Sequence, residues 1–438
     1  MSGIFGVVSK ENCVEDLFLG VYYLQHRAQD YCGLGLYDGK RAPQSYAHKG
    51  LVKEQFPEER LSKLNGFFGI GCISGYRQPI SELSKSGGYI LTFDGNVINH
   101  EELKENLLRE GASFSGYRSP EEVSDIVLVS KIISSEIDFA FGIRKLVRLI
   151  QGDFSIIALT KEGIYVARGW GRKPLILGKK ENSFAVSSES ISFENTGFEI
   201  VRDVEPGEVI LIDSGGIKTI DKINLLPIKY GTFEWVYTAY PTSIIEGRSV
   251  AEVRTKIGKL LAKKYPVEAD LVSPVPNSGR WHSIGYSEES GIPYKEVFSR
   301  YDYSERSFTP SSQIERDRIA KTKLVPLRSI INGKKIILVD DSIVRGTQML
   351  NRVKRLKELG AKEIHARIAC PPLMNVCRYG KTIKKPEDCV ARRMSIEELK
   401  EKLGLTTLEY ADVEILEKAI GLSREELCLE CWGCGCGV

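Results

Sequence analysis

Apolar positions fall into two regimes along the chain. Up to residue 212 they come as short alternating or continuous runs, at 4–8, 69–73, 89–93, 155–159, 164–167, 174–177, 184–186 and 209–212. One helical stretch, 16–27, carries Leu17, Val21 and Leu24 on one face. Many short strands with few helices predict stacked antiparallel sheets. After Pro227 the pattern changes and residues 233–240 open a new unit. A helix is expected over 254–263, with Val253, Ile257, Leu260 and Leu261 on one side. Strands follow at 271–276, 295–298, 336–339 and 364–368, alternating with helical segments. That alternation predicts a mostly parallel sheet with ligands at the strands' C-terminal ends.

The stretch 334–347, Lys-Lys-Ile-Ile-Leu-Val-Asp-Asp-Ser-Ile-Val-Arg-Gly-Thr, concentrates the chemistry. Four apolar residues read as a buried strand, and Asp340 and Asp341 stand at its end. Leu350, Val353, Leu356 and Leu359 then recur three apart, with Gly360 as the expected C-terminal stop. Strand, tight loop and helix together present backbone N–H groups at a helix N-terminus, which suit a phosphate. Ser342 and Thr347 add hydroxyl donors. Two adjacent carboxylates repel phosphate and instead suit ribose hydroxyls or a shared magnesium ion. A second loop, Pro276-Asn277-Ser278-Gly279, is small enough for backbone N–H groups to approach a pyrophosphate.

Bulk numbers narrow the class. At 438 residues there is room for two or three domains, and 42% apolar with 27% charged residues is ordinary for a soluble protein. A net charge of +3 implies no nucleic-acid or polyanion partner. No apolar run approaches a membrane span and no signal-peptide pattern opens the chain, so a cytoplasmic location is expected. Ten cysteines are placed unevenly, and clustering at the C-terminal end points to metal in place of disulfides.

The 334–347 stretch resembles the phosphoribosylpyrophosphate (PRPP) motif of type I phosphoribosyltransferases. Val-Asp-Asp-Ser-Ile-Val-Arg-Gly-Thr is particularly similar to the amidophosphoribosyltransferase family, and the resemblance runs through almost the whole chain. It implies PRPP binding by Asp340, Asp341, Ser342, Ile343, Val344, Arg345, Gly346 and Thr347, and by Pro276, Asn277, Ser278 and Gly279. Ser278, Asp340 and Asp341 become candidate ligands of Mg2+. The polar stretch 300–323 resembles the loop that closes over PRPP. Arg306 is its candidate catalytic cation, with Arg316, Lys321 and Lys323 as further charges for the leaving pyrophosphate.

The first half resembles a class II glutamine amidotransferase domain. The matching text is Ser2-Gly-Ile-Phe-Gly6, Leu24-Gln-His-Arg-Ala-Gln29, Asp94-Gly-Asn96, Ser124-Asp125, Arg172-Lys-Pro-Leu175, Ser188-Glu-Ser190 and residues 201–208. The implied fold class is an α+β, four-layer N-terminal-nucleophile-hydrolase domain over 1–226. An α/β type I phosphoribosyltransferase domain with a Cys-rich tail follows over 227–438. The catalytic positions carried over are Ser2, Asp94, Gly95 and Asp125, and three of the family's features are altered. Ser2 stands where the nucleophilic cysteine belongs. Ser74 stands where a substrate-binding arginine belongs, with Arg77 close by as a stand-in. Asp94 replaces the oxyanion-hole asparagine. A serine at a new N-terminus can act as nucleophile with its α-amine as base. A carboxylate, however, repels a developing oxyanion, and losing one such donor costs about 2.7–4 kcal/mol. These changes suggest a glutaminase-shaped domain that no longer hydrolyses glutamine. The opposing reading is a serine variant acting on a different amide.

Cys428-Leu-Glu-Cys431 and Cys377 resemble ligands of a [4Fe–4S] cluster, with zinc as the alternative. The family's fourth ligand falls on Gly231; Cys434, Cys436, Cys370 or Cys389 would have to replace it. The resemblance thus implies a PRPP-dependent glycosyltransferase of purine biosynthesis that forms 5-phosphoribosylamine, using ammonia if its glutaminase is impaired. Purine-nucleotide effectors and a homo-oligomer are implied with it. The rival readings are a non-catalytic regulatory paralogue that binds PRPP or nucleotides, and a nucleobase phosphoribosyltransferase, which leaves the first half unexplained.

Overall fold

The protein is described here by a computed structural model. It covers residues 2–85, 87–114, 123–301, 324–380 and 385–433. The chain divides into two compact units: Met1–Gly231 with Thr242–Gly247 and Arg378–Lys381, and Thr232–Pro241 with Arg248–Cys377 and Thr382–Val438.

Two antiparallel sheets form the first unit. One has seven strands, in the order Glu199–Asp203, Ile176–Lys180, Ser183–Ser187, Gly3–Val8, Phe68–Ser74, Tyr31–Tyr37 and Gln44–Lys49. The other has six: Gly216–Lys222, Glu208–Asp213, Ile164–Arg168, Gly152–Leu159, Gly87–Val97 and Ile80–Ser84. Alternation along the strands sends one set of side chains between the sheets, where Ile4, Ile70, Ile90, Ile157 and Val166 pack together. The opposite faces pack on helices. Phe5 and Val7 meet Leu17 and Val21 of helix Val14–Tyr22. Leu91 and Phe93 meet Leu103, Leu128 and Ile143 of helices His100–Arg109, Asp125–Ser134 and Phe139–Leu149. The result is the four-layer α+β arrangement expected of this half.

Several expectations change in detail. The helix expected over 16–27 ends at Tyr22 and continues as turns to Arg27, whose side chain is committed elsewhere. Five strands lacked a recognisable apolar pattern. Gln44–Lys49 is a polar edge strand, and Tyr31–Tyr37 holds two glycines in seven residues.

The second unit is built on a four-stranded parallel sheet in the order Leu271–Pro274, Lys335–Asp340, Glu363–Ile368 and Thr407–Tyr410. Ser249 caps helix Val250–Lys264 by accepting from the Glu252 N–H, and Gly291 closes helix Arg280–Ser290 in a left-handed conformation. The strand expected at 295–298 is displaced. Phe298–Arg300 pairs antiparallel with Leu324–Pro326 in a separate ribbon, and the chain before it meets the main sheet through a bridge from Tyr294 to Val272 and a bond from the Val297 N–H to the Ser273 hydroxyl. Among the described residues no helix is long and apolar enough to cross a membrane.

Candidate active sites in the two units

Ser2 immediately precedes the central strand of the seven-stranded sheet, Gly3–Val8, and is 2% exposed. Its backbone N–H donates to Asp94 Oδ1 at 2.8 Å. Its carbonyl accepts from Arg27 Nε at 2.9 Å, and its hydroxyl accepts from Gln78 Nε2 at 3.0 Å. Around them lies a buried network of charges. Arg27 reaches Glu189 at 2.6 Å and Asp94 at 3.4 Å, and Lys173 Nζ stands 3.6 Å from Asp94. His26 and the Ser243 hydroxyl also hold Glu189. Burial by itself would raise the Asp94 pKa, but Lys173 and Arg27 outweigh it and hold the carboxyl below its usual range.

Asp125 lies nearby and is also turned inward. One oxygen faces His100 Nδ1 at 2.9 Å and the other accepts from the Val97 N–H at 3.2 Å. Ser124 stands at the cap position of the helix and Asp125 is its first residue. Tyr76 is partly buried, with its hydroxyl enclosed near Ser2, Asp94 and Asp125, and its phenol pKa is driven well up, first by desolvation of that hydroxyl and then by the two carboxylates. Ser74 is buried and donates to the Tyr76 carbonyl. Arg77 is exposed and its charge acts on His48.

In the second unit, strands Leu271–Pro274 and Lys335–Asp340 are parallel neighbours, with Pro274 opposite Val339. Both candidate loops therefore leave the sheet at the same edge. The Ser278 hydroxyl donates to Asp340 Oδ1 at 3.1 Å, joining loops 62 positions apart. Gly279 permits this closeness, since a Cβ there would lie 2.2 Å from the Val339 carbonyl oxygen. Gly346, at φ +78°, turns the chain into helix Thr347–Glu358. Asp340 and Asp341 are each 6% exposed. Burial, and then the Asp341 charge, push the Asp340 pKa well up, while Arg352 at 3.8 Å opposes the shift. The Ser342 hydroxyl donates to Asp341 at 2.5 Å. Arg345 faces away on an exposed pair with Asp388, Ile343 is buried, and Val344 accepts from the Val390 N–H. Tyr237, on the short π-helix Glu234–Thr238, is half exposed yet lies within electrostatic reach of Asp341 and Asp340; partial desolvation, and then those two charges, raise its pKa.

Residues 68–195 match the model of a glutamine amidotransferase domain. Over its length the chain is 36% identical to an amidophosphoribosyltransferase of Methanocaldococcus jannaschii, covering 98% of this chain and 96% of that one. The chain belongs to the amidophosphoribosyltransferase family. The Bacillus subtilis amidophosphoribosyltransferase is 33% identical, with 99% and 93% covered. A solved structure of the glutamine PRPP amidotransferase from that organism, complexed with ADP and GMP, superposes with a TM-score of 0.90 at 32% identity, covering 98% and 96% of the two chains. Family membership brings with it the N-terminal-nucleophile-hydrolase and phosphoribosyltransferase folds expected for the two halves.

The fold thus brings together Ser2, Asp94, Gly95 and Asp125 in one unit, and Ser278, Asp340, Asp341 and Ser342 in the other. Arg306, Arg316, Lys321, Lys323, Cys434 and Cys436 lie outside the described residues. Arg27, Tyr76, Gln78, His100, Lys173 and Glu189 escaped the reading of the sequence. Three of them sit inside quoted family stretches, as buried charges without an assigned role.

At the tail, the Met374 and Asn375 N–H groups both donate to the Cys431 carbonyl, and Phe233 stacks on Trp432 at 5.5 Å. This packing brings Cys377 against Cys431, with Cys428 and Cys370 near enough to act on it; the Cys377 contact, and then burial, push the Cys431 thiol far up. Among the described residues no three ligating side chains stand at metal-binding spacing. Cys389 packs elsewhere, near Arg392 and Asp388.

Proposed function

We propose that this amidophosphoribosyltransferase-family enzyme forms 5-phosphoribosylamine from PRPP with ammonia, releasing pyrophosphate, and that its glutaminase half is silent. The first step is assigned to residues 227–438 and the silent half to 1–226. The observation that carries the second clause is Asp94. Its carboxylate faces the Ser2 nitrogen and is clamped by Arg27 and Lys173. If Met1 is removed, that nitrogen becomes an ammonium against a carboxylate. The opposite charge holds the proton on, so the amine is no base at neutral pH. The same carboxylate repels an oxyanion.

Ser278, Asp340 and Asp341 fit Mg2+, because two crowded, buried carboxylates with one weakly placed cation beside them favour a divalent ion. Bound there, the ion would draw charge from the departing pyrophosphate. The chain's own part is positioning. Backbone N–H groups of the loop before helix Thr347–Glu358 receive the 5-phosphate, the acidic pair orients ribose hydroxyls, and residues 276–279 cradle pyrophosphate. The Ser278 hydroxyl keeps the two loops in register for this.

Two finer readings go with it. The ADP and GMP of the B. subtilis complex support purine nucleotides as effectors here. The Cys377–Cys431 contact, with Cys428 close by, supports a metal at the tail, [4Fe–4S] ahead of zinc by resemblance; the described residues do not by themselves complete a ligand set, so the rest would come from outside them. Metal analysis of anaerobically purified protein tests the tail.

The test of function is PRPP-dependent pyrophosphate release with Mg2+, comparing glutamine with ammonium at raised pH. Release with ammonium alone is expected. Release with glutamine overturns the silent glutaminase, and release with neither, in protein that binds PRPP, overturns the transferase reading.

A further inference from the structure

Residues 341–346 lie in neither strand nor helix, so neighbours must set their shape. Three consecutive loop residues each meet the segment 386–403, by three different kinds of contact. The Val344 carbonyl accepts from the Val390 N–H at 2.8 Å. Arg345 forks onto Asp388, Nε to Oδ1 at 3.0 Å and Nη2 to Oδ2 at 2.7 Å. Gly346 faces helix Ile396–Leu403: a Cβ built on it would lie 3.7 Å from Leu399 Cδ1 and 3.8 Å from Leu403 Cδ2. The segment is itself fixed. Cys389, Val390, Leu399 and Leu403 are buried, and Arg392 Nη1 donates to the Met374 carbonyl and to Asn375 Oδ1 at 3.0 Å each.

We infer that residues 388–390 are a clamp that positions the phosphate loop, and that Arg345 acts through Asp388 and not on phosphate; the inference rests on that loop receiving the 5-phosphate, as proposed above. The peptide between Val344 and Arg345 is trans, so its C=O and N–H point opposite ways. Drawing the Val344 carbonyl onto Val390 therefore turns the Arg345 N–H to the side of the loop away from the clamp, free for a phosphate. The guanidinium is held on the other side, one edge spent on the Asp388 carboxylate. N–H donors fixed before the ligand arrives bind it without the cost of ordering them. Asp388 and Arg345 are thus positioning residues, and the shape of the loop is the thing they supply.

The test is a charge swap read in PRPP kinetics, with ammonium and Mg2+ present. Asp388→Asn keeps the shape and loosens Arg345; KM for PRPP should rise about tenfold with kcat changed by less than about threefold. Arg345→Asp and Asp388→Arg alone should each weaken PRPP at least as much. Together, as Arg345→Asp/Asp388→Arg, they should bring KM back to within about threefold of the parent. A swapped pair that stays as weak as Arg345→Asp puts the guanidinium on the phosphate and overturns the inference. An unchanged KM in Asp388→Asn overturns it as well. Solvent-exposed ion pairs add little to stability, so Tm should hardly move and the variants can be compared folded. A pair with a structural role only would lower Tm and leave KM alone. The transferase reading falls separately, if the parent itself releases no pyrophosphate.

Discussion

Asp94 Oδ1 accepts the Ser2 backbone N–H at 2.8 Å, joining residues 92 positions apart in a buried site. The pair ties the start of the first strand to the middle of strand Gly87–Val97 in the other sheet. Asp94 therefore has a positive structural role here: it balances Arg27 and Lys173.

Asp94→Asn should accordingly destabilise the first unit. It keeps the shape but removes the carboxylate that Arg27 and Lys173 both face, and breaking such a buried set costs about 3–5 kcal/mol. The pH dependence follows from the lowered pKa. A carboxyl depressed on folding stabilises fully above its unfolded value of about 3.9, and that stability is lost as pH falls through the folded value. Denaturant unfolding from pH 7 to pH 3 should show an acid loss in the parent protein that the variant lacks. A variant as stable as the parent at pH 7 would refute the role.

Asp340→Asn should separate activity from stability. The amide still accepts from Ser278 and the Asp341 N–H, and it removes a buried charge adjacent to another. Stability should hold or rise, since like charges at this distance repel. Pyrophosphate release should fall at least about 100-fold, or about 2.7 kcal/mol of barrier. Near-parental release at saturating Mg2+ would take Asp340 out of the site.

What the sequence made legible depended on whether chemistry was local. The loop at 340–347 could be read because carboxylates, hydroxyls and a glycine stand side by side between an apolar strand and an apolar-periodic helix. Buried strands such as Gly152–Leu159 announced themselves by continuous apolar residues, whereas the edge strands Gln44–Lys49 and Gly216–Lys222 are polar because one side meets water. The Ser2 site was hidden for another reason. Arg27 meets Asp94 67 positions away and Glu189 162 positions away, and no local pattern encodes that convergence. Gln78 was invisible for the same cause, being an isolated polar residue in a turn until the sheets bring Ser2 and Phe93 to it.

Arg254→Lys should weaken PRPP use from outside the loops. Arg254 is buried, and its Nε and Nη2 donate to the Trp235 and Ala239 carbonyls at 2.7 Å each. That fork holds the short π-helix that carries Tyr237 toward Asp340 and Asp341. A lysine ammonium cannot reproduce the planar fork. The expected outcome is a several-fold rise in KM for PRPP with a smaller change in kcat, together with a lower Tm. An unchanged KM would confine Arg254 to stability.

His282 supplies a stability limb of defined slope. It is fully buried, with Nδ1 3.1 Å from the Arg254 carbonyl and Nε2 3.2 Å from the Val236 carbonyl. A neutral imidazole donates from one nitrogen only, so one carbonyl contact lacks a proton. Burial, and then the Arg254 charge, push its pKa down to about 3. The sign is fixed by that depression: the unfolded chain takes up a proton near pH 6.5 that the folded chain refuses. Stability in the second unit should be full above about pH 6.5 and fall by about 1.4 kcal/mol per pH unit below it, for this one group, until the folded pKa is reached. His282→Gln, which stays neutral throughout, should remove that slope while lowering stability at pH 7. A ring-proton NMR titration gives an independent reading, since the His282 resonance should stay still from pH 8 to pH 5. A midpoint near 6.5 would mean that the ring carries its proton inside the fold and bonds both carbonyls at once.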